Sequence, residues 1–589
     1  MTAVPLPGGS CRFSVWAPRH DRVSVVCDPD GSPREVALTP VPGGFHTATV
    51  EACPPGTRYR YRLGDRLLAD PASRWQPDGV HGPSAVFDPS AHRWGDAGFV
   101  APPLWRYVIY EVHVGTFTAE GTFDAAVRHL ADLAALGVTA VEVMPVGQFP
   151  GRWNWGYDGV FPYAVQDTYG GPAGLQRFVD ECHRHGLAVV VDVVYNHLGP
   201  EGNVLSAYGP YFTDRYRTPW GPAVNVDGAD SDAVRRYFVD NAVQWFGDFH
   251  VDALRLDAVH GIVDPTATPF LADLSAAAEA TSDRLGRRCR LIAESADNNP
   301  RLVTDRRAGG LGMDAQWNDD FHHALHAVLT GEGGGYYRDF GRVDQLATAM
   351  SAGFVYQGEH SAFRRRRHGA PSAGVDPERW VVFAQNHDQV GNRPGGDRLT
   401  RLVTARRAAL AAALVLLAPG VPLLFMGEEY GETRPFPYFV DHGDPALLAA
   451  VREGRAAEVG VAMLDPTAAT TREAAVLDRS SGDAALRQLY TDLLAIRRDH
   501  PAFGPGRRPE ATASTSGSVL TLRRSSAGHQ AVVVANVADR PVTAALPEGP
   551  GAGGWVPVLV RGIDEDCRPT PAGLTLAGLA FGAFEWIGD

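Results

Sequence analysis

The sequence predicts an α/β fold, a (β/α)8 TIM barrel with a β-sandwich domain on either side of it. The chain has 589 residues, which is more than one hydrophobic core normally holds. From residue 108 onward, strand-like and helix-like patterns alternate, as they do in parallel βα units. Near both ends of the chain, short alternating runs are instead separated by Pro, Gly and Asp. We therefore expect three domains.

The first predicted domain spans residues 1–104 and is an immunoglobulin-like β-sandwich. Its strand-like runs include RVSVVCD, FHTATV and TRYRYRL. It also carries the aromatic residues Trp16, Tyr59, Tyr61 and Trp75. Such rings can stack on sugars, but packing in the core is their more frequent role.

The second predicted domain, residues 105–503, contains the barrel. Its eight predicted strands are residues 108–114, 140–145, 188–194, 253–257, 291–293, 315–317, 381–384 and 423–425. Helices are predicted over FDAAVRHLADLAALG, GLQRFVDECHRHG and DAVRRYFVDNAVQWFGDF, because apolar residues recur there every three or four positions. The stretch after the third strand, residues 197–230, is too long for an ordinary βα turn and predicts a small subdomain.

The third predicted domain, residues 504–589, is a C-terminal β-sandwich, indicated by runs such as SVLTLRR and QAVVVANV. A helix over residues 484–498 is expected to end the barrel before it.

Composition excludes several functional classes. A net charge of −14 disfavours nucleic acid, whose binding depends on clustered positive charge. The sequence has no Lys, which excludes a lysine Schiff base. The start MTAVPLPGGS has no signal-peptide pattern, and no window is apolar enough for a membrane span. The six cysteines have no CxxC spacing, so neither a zinc site nor a disulfide framework is indicated. We expect a cytoplasmic protein.

Polar residues stand at the ends of four predicted strands. They are Asp192, Asn196 and His197 in DVVYNH, Arg255 and Asp257 in ALRLDAVH, Glu294 in LIAES, and His387 and Asp388 in AQNHDQVG. Because the carboxyl ends of barrel strands meet on one face, where TIM-barrel active sites lie, we expect these side chains to converge.

Three carboxylates around one Arg suit retaining glycoside hydrolysis, which needs an ionised nucleophile and a protonated acid. Arg255 shares a strand face with Asp257 and should keep that carboxylate ionised as the nucleophile. Glu294 follows an apolar strand with no Arg beside it in the sequence, so burial should raise its pKa. Asp388 is then the third carboxylate. Each motif alone is equally consistent with a structural ion pair or a helix cap.

These four segments resemble the four signature regions of the α-amylase superfamily of glycoside hydrolases. The stretches YVIYEVHVGTFTAEGTF, NWGYDGVFPYA, ALRLDAVHGI and QNHDQVGNR are similar to those of the maltooligosyltrehalose trehalohydrolase family. That resemblance implies cleavage of the α-1,4 bond next to a terminal α,α-trehalose, with Asp257 as nucleophile, Glu294 as acid/base and Asp388 as transition-state stabiliser. It also implies a carbohydrate-binding-like N-terminal domain and a pathway shared with maltooligosyltrehalose synthase.

The resemblance further implies a set of substrate-binding residues, namely Tyr157, Asp192, Asn196, His197, Arg255 and His387. Trp153, Trp155 and Trp220 are candidates for further sugar subsites, with wall packing as the equally weighted alternative. Asn196 is a calcium ligand in many amylases. No partner acids are evident nearby, so we expect no metal and no cofactor.

Three other functions remain open at this point. In branching enzymes, a Val precedes the nucleophile and a Ser precedes the His, whereas Leu256 and Asn386 stand here. A debranching α-1,6 hydrolase and a glucan-binding barrel without turnover are the other two. The sequence does not reveal the preferred glucan length, the oligomeric state or the residues that recognise the 1,1-linked glucose. Candidates for that recognition are Asp319, Asp320, Glu428 and Glu429.

Overall fold

The computed structural model describes residues 1–28, 30–218, 221–459, 463–504, 510–561 and 573–588. The N-terminal strands are β1 Val4–Leu6, β2 Ser10–Trp16, β3 Val23–Cys27, β4 Arg34–Ala37, β5 Thr39–Val41, β6 Phe45–Val50, β7 Arg58–Leu63, β8 Arg66–Leu68 and β9 Ser84–Ala85. They form two antiparallel sheets, ordered β1-β2-β6-β5 and β4-β3-β7-β8, with β9 paired to β7.

Strand β7 shows how the sequence builds this sandwich. In RYRYRL the apolar residues Tyr59, Tyr61 and Leu63 are buried while the arginines between them are not. Trp16 is also buried, and the indole N–H of Trp75 donates to Asp167 of the barrel domain. These aromatic side chains therefore serve packing within and between domains.

The next region runs from β10 to α7. Its elements are β10 Ile109–Val112, α1 Val114–Phe117, α2 Phe123–Val127, α3 Leu130–Leu136, β11 Ala140–Val143, β12 Gly147–Gln148, β13 Phe161–Val165, α4 Gly171–Arg184, β14 Ala188–Val193, α5 Leu205–Tyr208, β15 Phe212–Thr218, β16 Gly221–Val224, α6 Ser231–Asp248, β17 Ala253–Leu256 and α7 Phe270–Leu285.

The second half of the region follows the same alternation. Its elements are β18 Arg290–Ala293, β19 Ala315–Trp317, α8 Asp319–Thr330, α9 Val343–Ala352, β20 His360–Ser361, β21 Arg366–Arg367, β22 Trp380–Phe383, α10 His387–Gly391, α11 Leu399–Leu402, α12 Ala405–Leu416, β23 Val421–Phe425, α13 Pro445–Val459, α14 Ala469–Ala474 and α15 Ala484–Asp499.

Eight parallel strands close into a barrel in the order β10-β11-β14-β17-β18-β19-β22-β23, and β23 pairs with β10. These are the eight strands predicted from the sequence, so the barrel prediction is confirmed. The helix predicted over residues 123–137 is instead two helices, α2 and α3. The chain turns between them at Arg128 and His129, where the His129 ring packs edge-on against Phe117.

The long segment after β14 carries the short helix α5 and the antiparallel hairpin β15–β16. It packs on the N-terminal sandwich, because Tyr211 meets Trp16 at 5.2 Å between ring centroids and the Tyr208 hydroxyl donates to the Ala69 carbonyl at 2.8 Å. The sandwich thus supports one wall of the barrel mouth.

The C-terminal strands are β24 Glu510–Ser516, β25 Val519–Ser526, β26 His529–Asn536, β27 Val542–Ala544, β28 Gly553–Arg561, β29 Leu574–Leu576 and β30 Ala580–Gly588. They form a five-stranded sheet, β24-β25-β26-β30-β28, and the pair β27-β29. Within the parts of the chain that the structure describes, no helix combines the length and the apolar character of a membrane span.

Candidate active site

Asp257 follows β17 at the carboxyl face of the barrel, and both of its oxygens are held by neighbours. Oδ1 lies 2.9 Å from a guanidinium nitrogen of Arg255, and Oδ2 accepts a hydrogen bond of 2.8 Å from the side-chain amide of Asn196. The same amide reaches the Asp257 carbonyl at 2.7 Å. Hydrogen bonds to both oxygens fix the orientation of this carboxylate.

Arg255 is fully buried, and its charge is shared between two carboxylates. The nitrogen that contacts Asp257 also lies 2.7 Å from Oδ2 of Asp192, which is the register partner of Arg255 on β14. The guanidinium carbon stands 4.3 Å from the ring centroid of Trp317, a cation–π contact. The pKa of Asp192 is raised to about 7 because burial opposes its charge more than Arg255 favours it.

Glu294 follows β18 and lies beside the same guanidinium. Its Oε2 accepts a hydrogen bond of 2.5 Å from the backbone N–H of Ala258 and lies 3.8 Å from the second guanidinium nitrogen of Arg255. No Arg stands beside Glu294 in the sequence, but Arg255 reaches it from the neighbouring strand. The pKa of Glu294 is nevertheless raised, since burial outweighs the attraction of Arg255 and the charge of Asp257 adds to it.

His387 and Asp388 open α10, where the side-chain oxygen of Asn386 accepts from the backbone N–H of Asp388 at 2.9 Å. Nε2 of His387 lies 3.5 Å from Oδ1 of Asp388 and 2.8 Å from the hydroxyl oxygen of Tyr157. The Asp388 side chain is 41% exposed, so this third carboxylate faces the open mouth of the barrel.

Tyr157 and His197 line the site from the segments after β12 and β14. The Tyr157 hydroxyl donates to Asp192 at 2.6 Å, and its ring stacks on His387 with 5.2 Å between centroids. His197 contacts the side chain of Asn196, and its Nε2 lies 3.0 Å from the Tyr157 carbonyl oxygen. Burial lowers the pKa of His197, so its ring is neutral near pH 7.

The structure therefore brings nine of the twelve predicted site residues into one cluster: Tyr157, Asp192, Asn196, His197, Arg255, Asp257, Glu294, His387 and Asp388. Among the residues described, no group of three or more His, Cys, Asp or Glu side chains is arranged to hold a metal ion. The chemistry such a cluster offers is acid, base and nucleophilic catalysis by carboxyl groups.

Comparison with known proteins assigns this arrangement to a family. The family described as Alpha amylase, catalytic domain matches residues 88–217, and Carbohydrate-binding module 48 (Isoamylase N-terminal domain) matches residues 2–73. A malto-oligosyltrehalose trehalohydrolase from Arthrobacter ramosus is 45% identical over 96% of this chain and 98% of its own. The chain belongs to the malto-oligosyltrehalose trehalohydrolase family.

The chain is also similar to two proteins that carry other names. A crystal structure of a candidate alpha amylase from Salmonella typhimurium superposes with a TM-score of 0.89 at 36% identity, covering 100% of this chain and 99% of that one. A 1,4-alpha-glucan branching enzyme from Xanthomonas euvesicatoria is only 29% identical, over 72% of this chain and 60% of its own. The trehalohydrolase relative is therefore more similar than the branching enzyme.

Two of the three tryptophans proposed for sugar subsites lie among the described residues of this trehalohydrolase-family barrel. Trp155 is buried behind His387, meeting it edge-on at 5.4 Å, and its indole N–H donates to the Pro437 carbonyl. This placement favours packing over contact with substrate. Trp153 is half-buried against the core. Trp220 lies outside the described residues.

Of the four acids considered for the second glucose, Asp319 interacts electrostatically with Glu294 and Asp388. Asp320 is buried and accepts from the backbone N–H groups of Val355 and Tyr356. Buried Glu428 and Glu429 accept from the hydroxyls of Tyr490 and Tyr110 respectively. Burial raises the pKa of Asp319, and the charges of Glu294 and Asp388 add to the effect.

Sequence reasoning missed two buried glutamates below the trehalohydrolase-family site. Glu111 on β10 and Glu142 on β11 are register partners, and both are fully enclosed. Glu111 contacts both the ring and the backbone N–H of His387. The signal that would have found them is a charged residue inside each of the apolar strands YVIYEV and AVEV.

Proposed function

We propose that this protein is a retaining glycoside hydrolase that cleaves the α-1,4 bond next to the terminal trehalose of maltooligosyl trehalose and releases trehalose. The observation that carries the proposal is the placement of Asp257 and Glu294 on two nitrogens of one guanidinium. Both oxygens of Asp257 accept hydrogen bonds, from Arg255 and from Asn196, and burial raises the pKa of Glu294. A retaining glycosidase needs one carboxylate as nucleophile and one protonated carboxylic acid as general acid.

In the first step, an Asp257 oxygen bonds to the anomeric carbon while the bond from that carbon to the trehalose oxygen breaks. Glu294 donates its proton to the departing oxygen, so trehalose leaves as a neutral sugar. In the second step, ionised Glu294 takes a proton from water, which attacks the anomeric carbon and releases Asp257. Two inversions leave the anomeric configuration unchanged.

The other side chains act on the reacting sugar. Asp388 is exposed at the mouth and can accept hydrogen bonds from sugar hydroxyls. Tyr157 lies with its ring beside His387 and offers a face on which a glucose can stack. Arg255 and Asn196 keep the nucleophile aligned for attack.

The direct test is incubation of the purified protein with maltotriosyl trehalose and chromatography of the products. We expect free trehalose and maltotriose in equal amounts. A new α-1,6 linkage in products from amylose would identify a branching enzyme, and cleavage of pullulan without trehalose release would identify a debranching hydrolase. Binding of maltotriosyl trehalose without any product would identify a glucan-binding barrel.

The same proposal places the protein in trehalose synthesis, in the cytoplasm, downstream of maltooligosyltrehalose synthase. The enzyme would consume the 1,1-linked product that such a synthase makes at the reducing end of a glucan. Mixing the protein with that synthase and maltopentaose should yield trehalose, whereas either protein alone should not. Trehalose production by the synthase alone would contradict this order.

A further inference from the structure

Both ring nitrogens of His387 contact a side chain inside the barrel. Its Nδ1 contacts Oε1 of Glu111, and its backbone N–H donates to Oε2 of the same carboxylate at 3.1 Å. Its Nε2 lies 2.8 Å from the hydroxyl oxygen of Tyr157. Both His387 and Glu111 have about 1% exposed side chains, so water does not compete for these contacts.

The direction of the hydrogen bonds follows from the partners. A carboxylate only accepts, so Nδ1 of His387 carries a proton toward Glu111. The Tyr157 hydroxyl has one proton, and at 2.6 Å it is donated to Asp192. The Tyr157 oxygen is then an acceptor toward His387, and Nε2 carries a proton as well. A ring with two N–H groups is an imidazolium.

We propose that Glu111 is a positioning residue that keeps His387 doubly protonated, so that a fixed positive charge stands beside Asp388 and Tyr157 in the active site. The inference rests on the proposed function, because it assigns this charge a part in that reaction. It concerns a residue on β10, a barrel strand that carries none of the four strand-end motifs.

The surroundings of the ring favour the charged form. The titratable groups that face it come from every neighbouring element: Glu111 on β10, His113 just after it, Glu142 on β11, Tyr157, Asp192 on β14, Arg255 on β17 and Asp388 on α10. Burial opposes the charge on His387, but Glu111 and Asp388 outweigh burial and raise its pKa to about 9.

The charge has two consequences for catalysis. It attracts the half-exposed carboxylate of Asp388, 3.5 Å away, and orients it toward the sugar. It also keeps the Tyr157 hydroxyl directed toward Asp192, to which it donates its hydrogen bond. If His387 lost its Nε2 proton, the Tyr157 hydroxyl could turn toward the ring, and Asp192 would lose its 2.6 Å hydrogen bond.

The first test measures the ring directly and does not depend on turnover. Nitrogen chemical shifts of uniformly labelled protein, with the His387 signals assigned by their loss in His387→Gln, report protonation between pH 5 and 10. We expect wild-type His387 to keep both N–H groups at pH 8. A neutral ring at pH 8 in the wild type would overturn the inference without any Glu111 variant.

The second test removes the charge of Glu111 and keeps its shape. In Glu111→Gln the His387 ring should titrate near the ordinary histidine pKa, and kcat should fall on the order of tenfold more between pH 6 and pH 8 than in the wild type. KM should change less than kcat, because the charge acts in the transition state. Glu111→Asp keeps the negative charge and should restore most of the activity at pH 8.

Glu429→Gln is the matched control, because it also replaces a buried glutamate by an amide. Glu429 contacts Tyr110, which precedes Glu111 on β10. Glu429→Gln should leave the His387 titration and the pH profile unchanged. A His387 midpoint in Glu111→Gln equal to that of the wild type would refute the inference. If the wild type releases no trehalose, the proposed function fails, while the ring titration still decides the role of Glu111.

Discussion

One guanidinium nitrogen of Arg255 lies 2.9 Å from Oδ1 of Asp257. The same nitrogen lies 2.7 Å from Asp192, and Arg255 has no exposed surface. A single buried cation thus compensates two carboxylates. Removing one partner from such a buried cluster leaves uncompensated charge, which costs more free energy than the pairing gains.

Arg255→Met should destabilise the protein by about 3–5 kcal/mol at pH 7, because Asp192 and Asp257 would keep their burial and lose their counter-charge. Urea unfolding measures this cost. Arg184→Met is the control, since Arg184 pairs with Glu181 on an exposed helix surface and should contribute at most about 1 kcal/mol. Equal unfolding midpoints for the two variants would contradict the central position of Arg255.

Asp257→Ala should abolish turnover of maltotriosyl trehalose, because it removes the carboxylate that Arg255 and Asn196 orient for attack on the anomeric carbon. Calorimetric binding of that substrate should stay within about tenfold of the wild type, since binding draws on the rest of the cleft. Exposed Asp283→Ala on α7 serves as the control and should retain full activity. Unchanged turnover in Asp257→Ala would remove Asp257 from the nucleophile role.

Glu294→Gln should lower kcat by about 10²–10⁴, the usual worth of a general acid or base. Burial raises the pKa of Glu294, so the wild type keeps the required proton to a higher pH than an exposed glutamate would and loses activity as the pH rises through that raised pKa. The residual activity of Glu294→Gln should lack this alkaline decline. Steady-state rates between pH 5 and 9 test both statements. If the activity of Glu294→Gln still declines at alkaline pH as in the wild type, the decline belongs to another group.

Glu142→Gln should make the stability of the protein less dependent on pH. Burial raises the pKa of Glu142 well above its usual value, with Glu111 and Asp192 adding to the shift. Between the unfolded and folded pKa values, the unfolded chain releases the proton while the folded protein retains it. Stability therefore falls by about 1.4 kcal/mol per pH unit in that window, and a glutamine removes the loss.

Urea unfolding at pH 5 and pH 8 measures the effect of Glu142→Gln. The variant should gain on the wild type at pH 8 and match it more closely at pH 5. Exposed Glu473→Gln is the control and should follow the wild type at both pH values. An equal pH dependence in wild type and Glu142→Gln would show that Glu142 titrates alike in both states.

Much of the fold was predictable because local patterns decide it. Apolar runs of three to seven residues alternating with helical periodicity indicate parallel strands with crossover helices. All eight barrel strands lie where these patterns place them. The break at Arg128 and His129 was not predictable, since the helical pattern continues through it and a ring contact with Phe117 accompanies the turn.

The position of the three carboxylates was predictable for a related reason. Asp257, Glu294 and Asp388 each follow an apolar strand, and a barrel gathers strand ends on one face. The roles of the tryptophans were not predictable, because an aromatic side chain packs equally well into the core or against a ligand. Only the fold puts Trp155 behind His387.

The amino-acid sequence by itself determined the strand order, the carboxylates at the strand ends and the family, since these depend on residue types at short spacings. The tertiary structure alone decided which charges meet. Glu111 and His387 are 276 residues apart in the chain, and Arg255 reaches Glu294 across neighbouring strands. Protonation states depend on burial and on the nearest charges, and both arise only when the closed barrel brings distant segments together.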